Sequence, residues 1–233
     1  ISRSLMPTEI LDIDYVVGFD IKGDWLDVHE VLNGLLQQGA TARNPLERLE
    51  GVQKRATALL NADADECLFR LFQLLPDRSV AYSAKHALLS AALCELTAAK
   101  LQVADYVRPV LFQAALVMNI AMARDQDEMA RQTIALTAEQ RALIQTHPQR
   151  SVEVLKGYGV VNEDLLDMVG GHRAQDGFGG QDRNLECCQI LSMADQFIAK
   201  MSARATRPAL SAILAARSMF TEAGASVARI GSG

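Results

Sequence analysis

The sequence predicts an all-α fold, and both its composition and its patterning favour this class. Hydrophobic residues make up 49% of the 233 residues, which is enough for a sizeable core, whereas aromatic residues make up only 5%. Alanine and leucine are abundant, and both favour helices over sheets. From about residue 27 onward, apolar residues recur at helical spacing between capping residues. We therefore expect a helical bundle with a small N-terminal region that also contains one short strand.

The N-terminal region carries the one pattern that is typical of a strand. Between residues 13 and 21, apolar side chains alternate mostly with aspartate and glycine, which is a period of two. An unpaired strand leaves backbone groups that another strand or another chain must cover, so we expect a homodimer through this region. Trp25 and His29 follow the strand, and we expect them to be surface or interface contacts.

Three helices are expected in the rest of this region. The first spans residues 27–39. The second begins after Asn44, because asparagine favours the N-cap and the proline that follows favours the first turn. The third is capped by Asp63 or Asp65 and ends before Pro76.

The remaining chain is more strongly helical. Its predicted helices cover residues 79–101, 106–124, 137–156, 162–171, 184–204 and 206–223. The segment 106–124 is apolar almost all round, as expected of a helix inside a bundle, and the polar run 125–128 after it is expected to be a solvated loop. We therefore divide the chain into an N-terminal region (1–81), a helical domain (82–223) and a mobile tail (224–233).

Net charge and hydropathy exclude several classes of function. The net charge of -5 argues against a partner that is a nucleic-acid polymer, because neutralising its phosphates requires a basic surface. No charge-free apolar run has the length of a membrane span, and the N-terminus lacks the pattern of a signal peptide. The four cysteines form no CxxC pair, which is typical of buried reduced thiols. These observations predict a cytoplasmic protein.

Three of the four histidines are candidates for a metal site. His86, His147 and His172 each lie on or at the end of a predicted helix, and Asp195 lies on another. If the bundle brings them together, three imidazoles and a carboxylate are suited to one divalent transition metal, such as Fe, Mn or Zn. From the spacing alone, scattered surface or capped histidines are the more common explanation.

Five ordered motifs between residues 82 and 220 resemble those of a known family. The matching segments are Tyr82-Ser83-Ala84-Lys85-His86, the apolar run 114–122, Leu136-Thr137-Ala138-Glu139-Gln140 with His147-Pro148, the segment 172–179, and Asp195 with Phe197 and Ala199. They are similar to motifs of the HD-GYP domain, a subgroup of the HD metal-dependent phosphohydrolases that cleaves cyclic di-GMP. The resemblance implies an HD-domain-like helical bundle. It also places His86, His147, His172 and Asp195 at metal-ligand positions.

The chain departs from the family where the chemistry is most demanding. Met118-Asn119 stands in place of the histidine–aspartate dyad, and Met122 stands in place of a lysine. In such sites a bridging aspartate holds two metal ions that together activate a water molecule. An amide is a weak neutral ligand, and a thioether is too soft for Mn, Fe(II) or Zn. Met118, Asn119 and Met122 are therefore expected to pack as core, with Asn119 in need of a buried hydrogen-bond partner.

Further departures lie around the third candidate histidine. Gly171 replaces the first of two paired histidines, and Arg173 replaces the acid that follows His172. The segment 179–181 reads Gly-Gly-Gln where the family has Gly-Tyr-Pro. The positive charge of Arg173 beside His172 disfavours a second metal ion.

Weaker candidates for ligand binding lie in two loops. The glycine-rich segment that includes Asp176, Gly177 and Gly179 is expected to be either a phosphate-binding loop or a plain turn. Arg204 is expected either to meet a phosphate or to be a solvated residue between helices.

These observations support one leading hypothesis and two alternatives. The leading hypothesis is a catalytically impaired HD-GYP-type domain that acts in signalling or protein interaction, with a signalling protein or a cyclic dinucleotide as partner. The first alternative is a residual phosphohydrolase with one metal ion on the four candidate ligands. The second is a nucleotide sensor without turnover. If no metal binds, the four side chains form a polar cluster in which Asp195 accepts a hydrogen bond from an imidazole.

Overall fold

Every regular element that the structure describes is helical, which confirms the all-α class. The structure is a computed structural model that describes residues 21–77, 79–173, 180–203 and 208–230, with the backbone alone for 222–230. The predicted strand lies outside these ranges except for Ile21, which has no regular secondary structure. No helix within them is long and apolar enough to cross a membrane.

The described chain forms ten α-helices with three short 3-10 turns between them. The helices are α1 (Trp25–Gln38), α2 (Pro45–Ala62), α3 (Ala64–Leu74), α4 (Tyr82–Lys100), α5 (Arg108–Val117), α6 (Ala123–Arg131), α7 (Ala138–Gly157), α8 (Glu163–Gly171), α9 (Leu185–Met201) and α10 (Ala212–Ile230). The 3-10 turns are Gly39–Thr41, Ile120–Met122 and Asp182–Asn184.

Several helices begin at the capping residues that the sequence predicts. Helix α7 begins with a capping box, in which the Thr137 side chain accepts from the backbone N–H of Gln140 and the Gln140 side chain accepts from that of Thr137. The Asp63 carboxylate caps α3, and the side-chain amide oxygen of Asn162 caps α8. Asn44 differs, because it adopts a left-handed conformation with φ 45° and makes no capping bond through its side chain.

The predicted helix over residues 106–124 is interrupted, which corrects the sequence interpretation. Helix α5 ends at Val117, and the chain passes through Asn119 into a 3-10 turn before α6 begins. The backbone N–H of Ala121 donates to Ser151 Oγ at 3.3 Å. Because this hydroxyl of α7 satisfies a donor at the break, the helix does not need to continue through it.

The prediction of a solvated loop at residues 125–128 is wrong. These residues belong to α6, and Asp127 in their middle is only 7% exposed. Its Oδ1 accepts from the backbone N–H of Ser83 at 2.6 Å, and its Oδ2 accepts from Ser83 Oγ at 3.2 Å and Gln37 Nε2 at 2.7 Å. These bonds tie α6 to α1 and to the first turn of α4.

The last helix also differs from the expected one. It begins at Ala212 rather than at Pro208, and it runs to Ile230, so residues 224–230 of the expected tail are helical. The final residues 231–233 lie outside the described part.

The core is built around α4 and α5, which pack against each other. Helix α4 also packs against α1, α3, α6 and α9. One cluster of buried side chains runs from Trp25 on α1 through Leu89 on α4 and Phe112 on α5 to Ile198 on α9. Side chains on both sides of residue 81 therefore share one core, and the division of the chain at that residue stays a prediction.

Candidate functional site

Four different elements carry the candidate metal ligands into the interior. His86 lies on α4, His147 on α7 and Asp195 on α9, and His172 directly follows α8. Each of the four is no more than 4% exposed. They meet as two contacting pairs, one formed by His86 with Asp195 and the other by His147 with His172.

The first pair is centred on the Asp195 carboxylate. His86 Nε2 donates to Asp195 Oδ1 at 2.9 Å, and the His86 Nδ1 lies 3.3 Å from the Tyr82 hydroxyl. Arg173 Nη2 donates to Asp195 Oδ2 at 3.0 Å. Asn119 Nδ2 approaches Asp195 Oδ1 at 3.4 Å. Both carboxylate oxygens are thus engaged by groups of the chain itself.

Electrostatics keep this carboxylate ionised despite its burial. Burial by itself would raise the pKa of Asp195, but the hydrogen bond from His86 and the positive charge of Arg173 outweigh that effect. The pKa of Asp195 therefore lies well below its usual value. Arg173 is the cation that forms an ion pair with this buried anion.

In the second pair, each histidine ring donates its Nδ1 hydrogen to a backbone carbonyl rather than to the other ring. His147 Nδ1 donates to the Ile144 carbonyl at 2.8 Å, and His172 Nδ1 donates to the Val169 carbonyl at 2.7 Å. Burial lowers the pKa of both rings, that of His147 to about 3, so both are neutral near pH 7. A neutral ring that carries its hydrogen on Nδ1 has a bare lone pair on Nε2.

The two bare nitrogens face each other. His147 Nε2 and His172 Nε2 are 3.1 Å apart, and with no hydrogen on either atom this contact is not a hydrogen bond. A cation between or beside them would remove the repulsion. Two nitrogens bound to one ion at about 2.1 Å each lie at most about 4.2 Å apart, and this pair meets that limit. Anchoring of Nδ1–H by a carbonyl is also the usual arrangement behind a metal-bound imidazole.

The two pairs do not make one ready coordination sphere. Among residues 21–77, 79–173, 180–203 and 208–221, no group of three or more His, Cys, Asp or Glu side chains is arranged to hold a metal ion. The second pair fits a metal by its lone pairs, whereas the first pair is already occupied by Arg173 and by the His86 hydrogen. Metal binding at all four side chains stays a prediction.

The dyad positions lie at the same place. Met118, Asn119 and Met122 are all buried where α5 gives way to α6, and Asn119 contacts Asp195. The contact between Asn119 and Asp195 is compatible with the motif alignment, which stays a prediction. Within the described chain, Asn119 Oδ1 is buried without a hydrogen-bond partner, so the expected need for one is met only through its Nδ2.

The weaker candidates for ligand binding, Asp176, Gly177, Gly179 and Arg204, lie outside the described residues.

Comparison of the chain with protein-family models, with curated proteins and with solved structures found no match. The resemblance to the HD-GYP domain thus rests on the motifs and stays a prediction.

Other buried polar groups lie beside the cluster, around a cavity of about 430 Å³ between α1, α4 and α6. His29 lines this cavity, and its Nε2 donates to the Ala81 carbonyl at 3.1 Å. The expectation that Trp25 and His29 are surface or interface contacts is wrong, because each is only 7% exposed and lies buried within the chain itself. Lys85 lines the same cavity and donates to three backbone carbonyls at the C-terminal end of α3 and just beyond it, those of Leu74, Leu75 and Asp77.

Proposed function

We propose that the chain is a catalytically impaired, cytoplasmic HD-GYP-type domain that acts in signalling through binding rather than through turnover. The observation that carries this proposal is the contact between Asn119 and Asp195. It supports the assignment of Asn119 to the position where the family has a bridging aspartate, and it leaves an amide there.

The chemistry of the cluster supports the loss of turnover. Activation of water by two metal ions requires anionic ligands that offset their joint charge. Asp195 supplies one carboxylate, and Arg173 already forms an ion pair with it. A neutral amide at residue 119 and a cation at residue 173 both oppose a second metal ion.

Hydrolysis of cyclic di-GMP by purified protein supplied with Mn(II) or Fe(II) tests this proposal. We expect no more product than from the His147→Ala variant, while an active HD-GYP enzyme under the same conditions serves as positive control. Turnover that disappears in His147→Ala would refute the proposal.

A second candidate function is favoured by the lone pairs of His147 and His172, which lie 3.1 Å apart. In this alternative, a residual phosphohydrolase holds one Fe, Mn or Zn ion on His86, His147, His172 and Asp195. A bound ion of this kind would lower the pKa of a coordinated water. Elemental analysis after growth with each metal should then find about one ion per chain, and His172→Ala should lose it. Metal-free protein would exclude this function.

The partners that we propose come from the resemblance and from the predicted strand. A signalling protein and a cyclic dinucleotide are the partner classes that the family implies, and the strand implies a homodimer. Titration calorimetry with cyclic di-GMP distinguishes a nucleotide sensor from a protein-interaction module. Light scattering tests the dimer.

A further inference from the structure

The charges around Asp195 balance without a metal ion. Its carboxylate contributes one negative charge and Arg173 contributes one positive charge, and the two form an ion pair at 3.0 Å. A divalent ion that entered beside Arg173 would leave the buried cluster with excess positive charge. Burial of charge without a partner is strongly unfavourable.

Arg173 also blocks one of the carboxylate oxygens. Its Nη2 lies 3.0 Å from Asp195 Oδ2, while His86 Nε2 takes Oδ1. The Arg173 side chain is 37% exposed, whereas that of Asp195 is 5% exposed. The guanidinium therefore reaches the carboxylate from the rim of the cluster, and its rotation into solvent would free Oδ2 without opening the core.

We propose that Arg173 is the built-in cation of this cluster and that it sets the affinity of His86, His147, His172 and Asp195 for a divalent metal ion. This inference rests on the proposed function, because it treats the same four side chains as the remnant of a metal site. Metal entry displaces the guanidinium from Oδ2 and moves the His86 hydrogen from Nε2 to Nδ1, which lies 3.3 Å from the Tyr82 hydroxyl, so that Nε2 is bare for the metal. Both displacements oppose binding in the native chain.

Metal titration of Arg173 variants tests this inference, with Zn(II) or Mn(II) alone as the probe. Arg173→Gln removes the competing charge, and Arg173→Glu also adds a carboxylate. Outer-shell groups around metal ligands typically influence metal affinity by about 10–100-fold. Because Arg173 competes with the metal ion rather than supporting its ligands, we expect its replacement to lower the dissociation constant by a factor of this order in both variants. Arg173→Lys keeps the charge and should bind within a few-fold of the native chain. The readouts are calorimetry and the metal retained after gel filtration.

Two controls define the outcome. Arg183→Gln breaks an exposed ion pair with Asp164, at 2.6 Å, and should leave metal affinity unchanged. The gain in metal affinity of Arg173→Gln should vanish when His147→Ala is added.

Three results would overturn the inference. They are an unchanged metal affinity in folded Arg173→Gln, a gain in affinity in Arg173→Lys equal to that in Arg173→Gln, and a gain in affinity that survives the addition of His147→Ala. Because these readouts need no turnover, they are independent of the cyclic di-GMP assay that tests the proposed function.

Discussion

Replacement of Asp127 by alanine should destabilise the whole protein, although this residue lies in a polar stretch of sequence. Its carboxylate accepts hydrogen bonds from the backbone and side chain of Ser83 and from Gln37. Helix α4 has no capping bond from its own N-cap residue, Ala81. Asp127 therefore satisfies a free N–H at the start of the central helix from 44 residues away in sequence.

The expected cost follows from these bonds. Two of them, at 2.6 and 2.7 Å, join the carboxylate to N–H donors. Hydrogen bonds to charged groups contribute about 1.5–3 kcal/mol each, so at the lower end of that range the loss of two should cost about 3 kcal/mol. In a protein of this size, 1 kcal/mol corresponds to about 2–4 °C in Tm. We thus expect Tm to fall by about 6–12 °C.

Urea unfolding followed by far-UV circular dichroism measures this effect. The exposed neighbour Glu128 provides the matched control, because Glu128→Ala on the same helix should change the free energy of unfolding by no more than about 0.5 kcal/mol. Asp127→Asn keeps one acceptor oxygen, so its loss of free energy of unfolding should lie between those of Glu128→Ala and Asp127→Ala. If Asp127→Ala unfolds at the same urea concentration as Glu128→Ala, the capping role is wrong.

Three further predictions concern other buried polar groups. Burial lowers the pKa of His29, so its ring is neutral in the fold, and on acidification the unfolded chain takes up a proton first. The contribution of His29 to stability should therefore be full above about pH 6.5 and fall below it. Unfolding measured across pH 5–8 should show a less steep fall in His29→Gln. Burial raises the pKa of the Cys67 and Cys188 thiols to about 12, so a thiol reagent should modify the native protein far more slowly than the denatured protein. Lys85→Met removes the ammonium donor from the carbonyls of Leu74, Leu75 and Asp77, of which that of Leu74 keeps a backbone bond from the Asp77 N–H. The change should cost about 1–3 kcal/mol in thermal unfolding, and an unchanged Tm would contradict this.

Local patterns predicted the helices well because capping and apolar spacing act over a few residues. Thr137 and Gln140 form the expected capping box, and Asp63 starts α3. The break at Asn119 could not be predicted in the same way. The run around it is apolar on every face, so periodicity contains no information on where the helix stops, and the hydroxyl that satisfies the break comes from Ser151 on another helix.

Buried polar residues were misjudged for a related reason. Asp127 stands among Asp125, Gln126 and Glu128, and such a run is typical of solvent exposure. What buries it is the pair of donors on Ser83 and Gln37, which are distant in sequence. For the histidines and Asp195, the resemblance in motif order suggested that they approach one another, but it gave no information on how they pair in the structure, His86 with Asp195 and His147 with His172.

The pairing matters because a buried carboxylate cannot lose its cation without a replacement. Asp195 is fully enclosed, and in a metal site its charge would be offset by an ion taken from solvent. In this chain the offsetting charge belongs to Arg173, a residue of the fold itself. Without that arginine or another cation, the buried charge of Asp195 would strongly destabilise the fold. The cation that compensates Asp195 is therefore built into the chain, and the helices around the three histidines can hold this carboxylate without an ion from solvent.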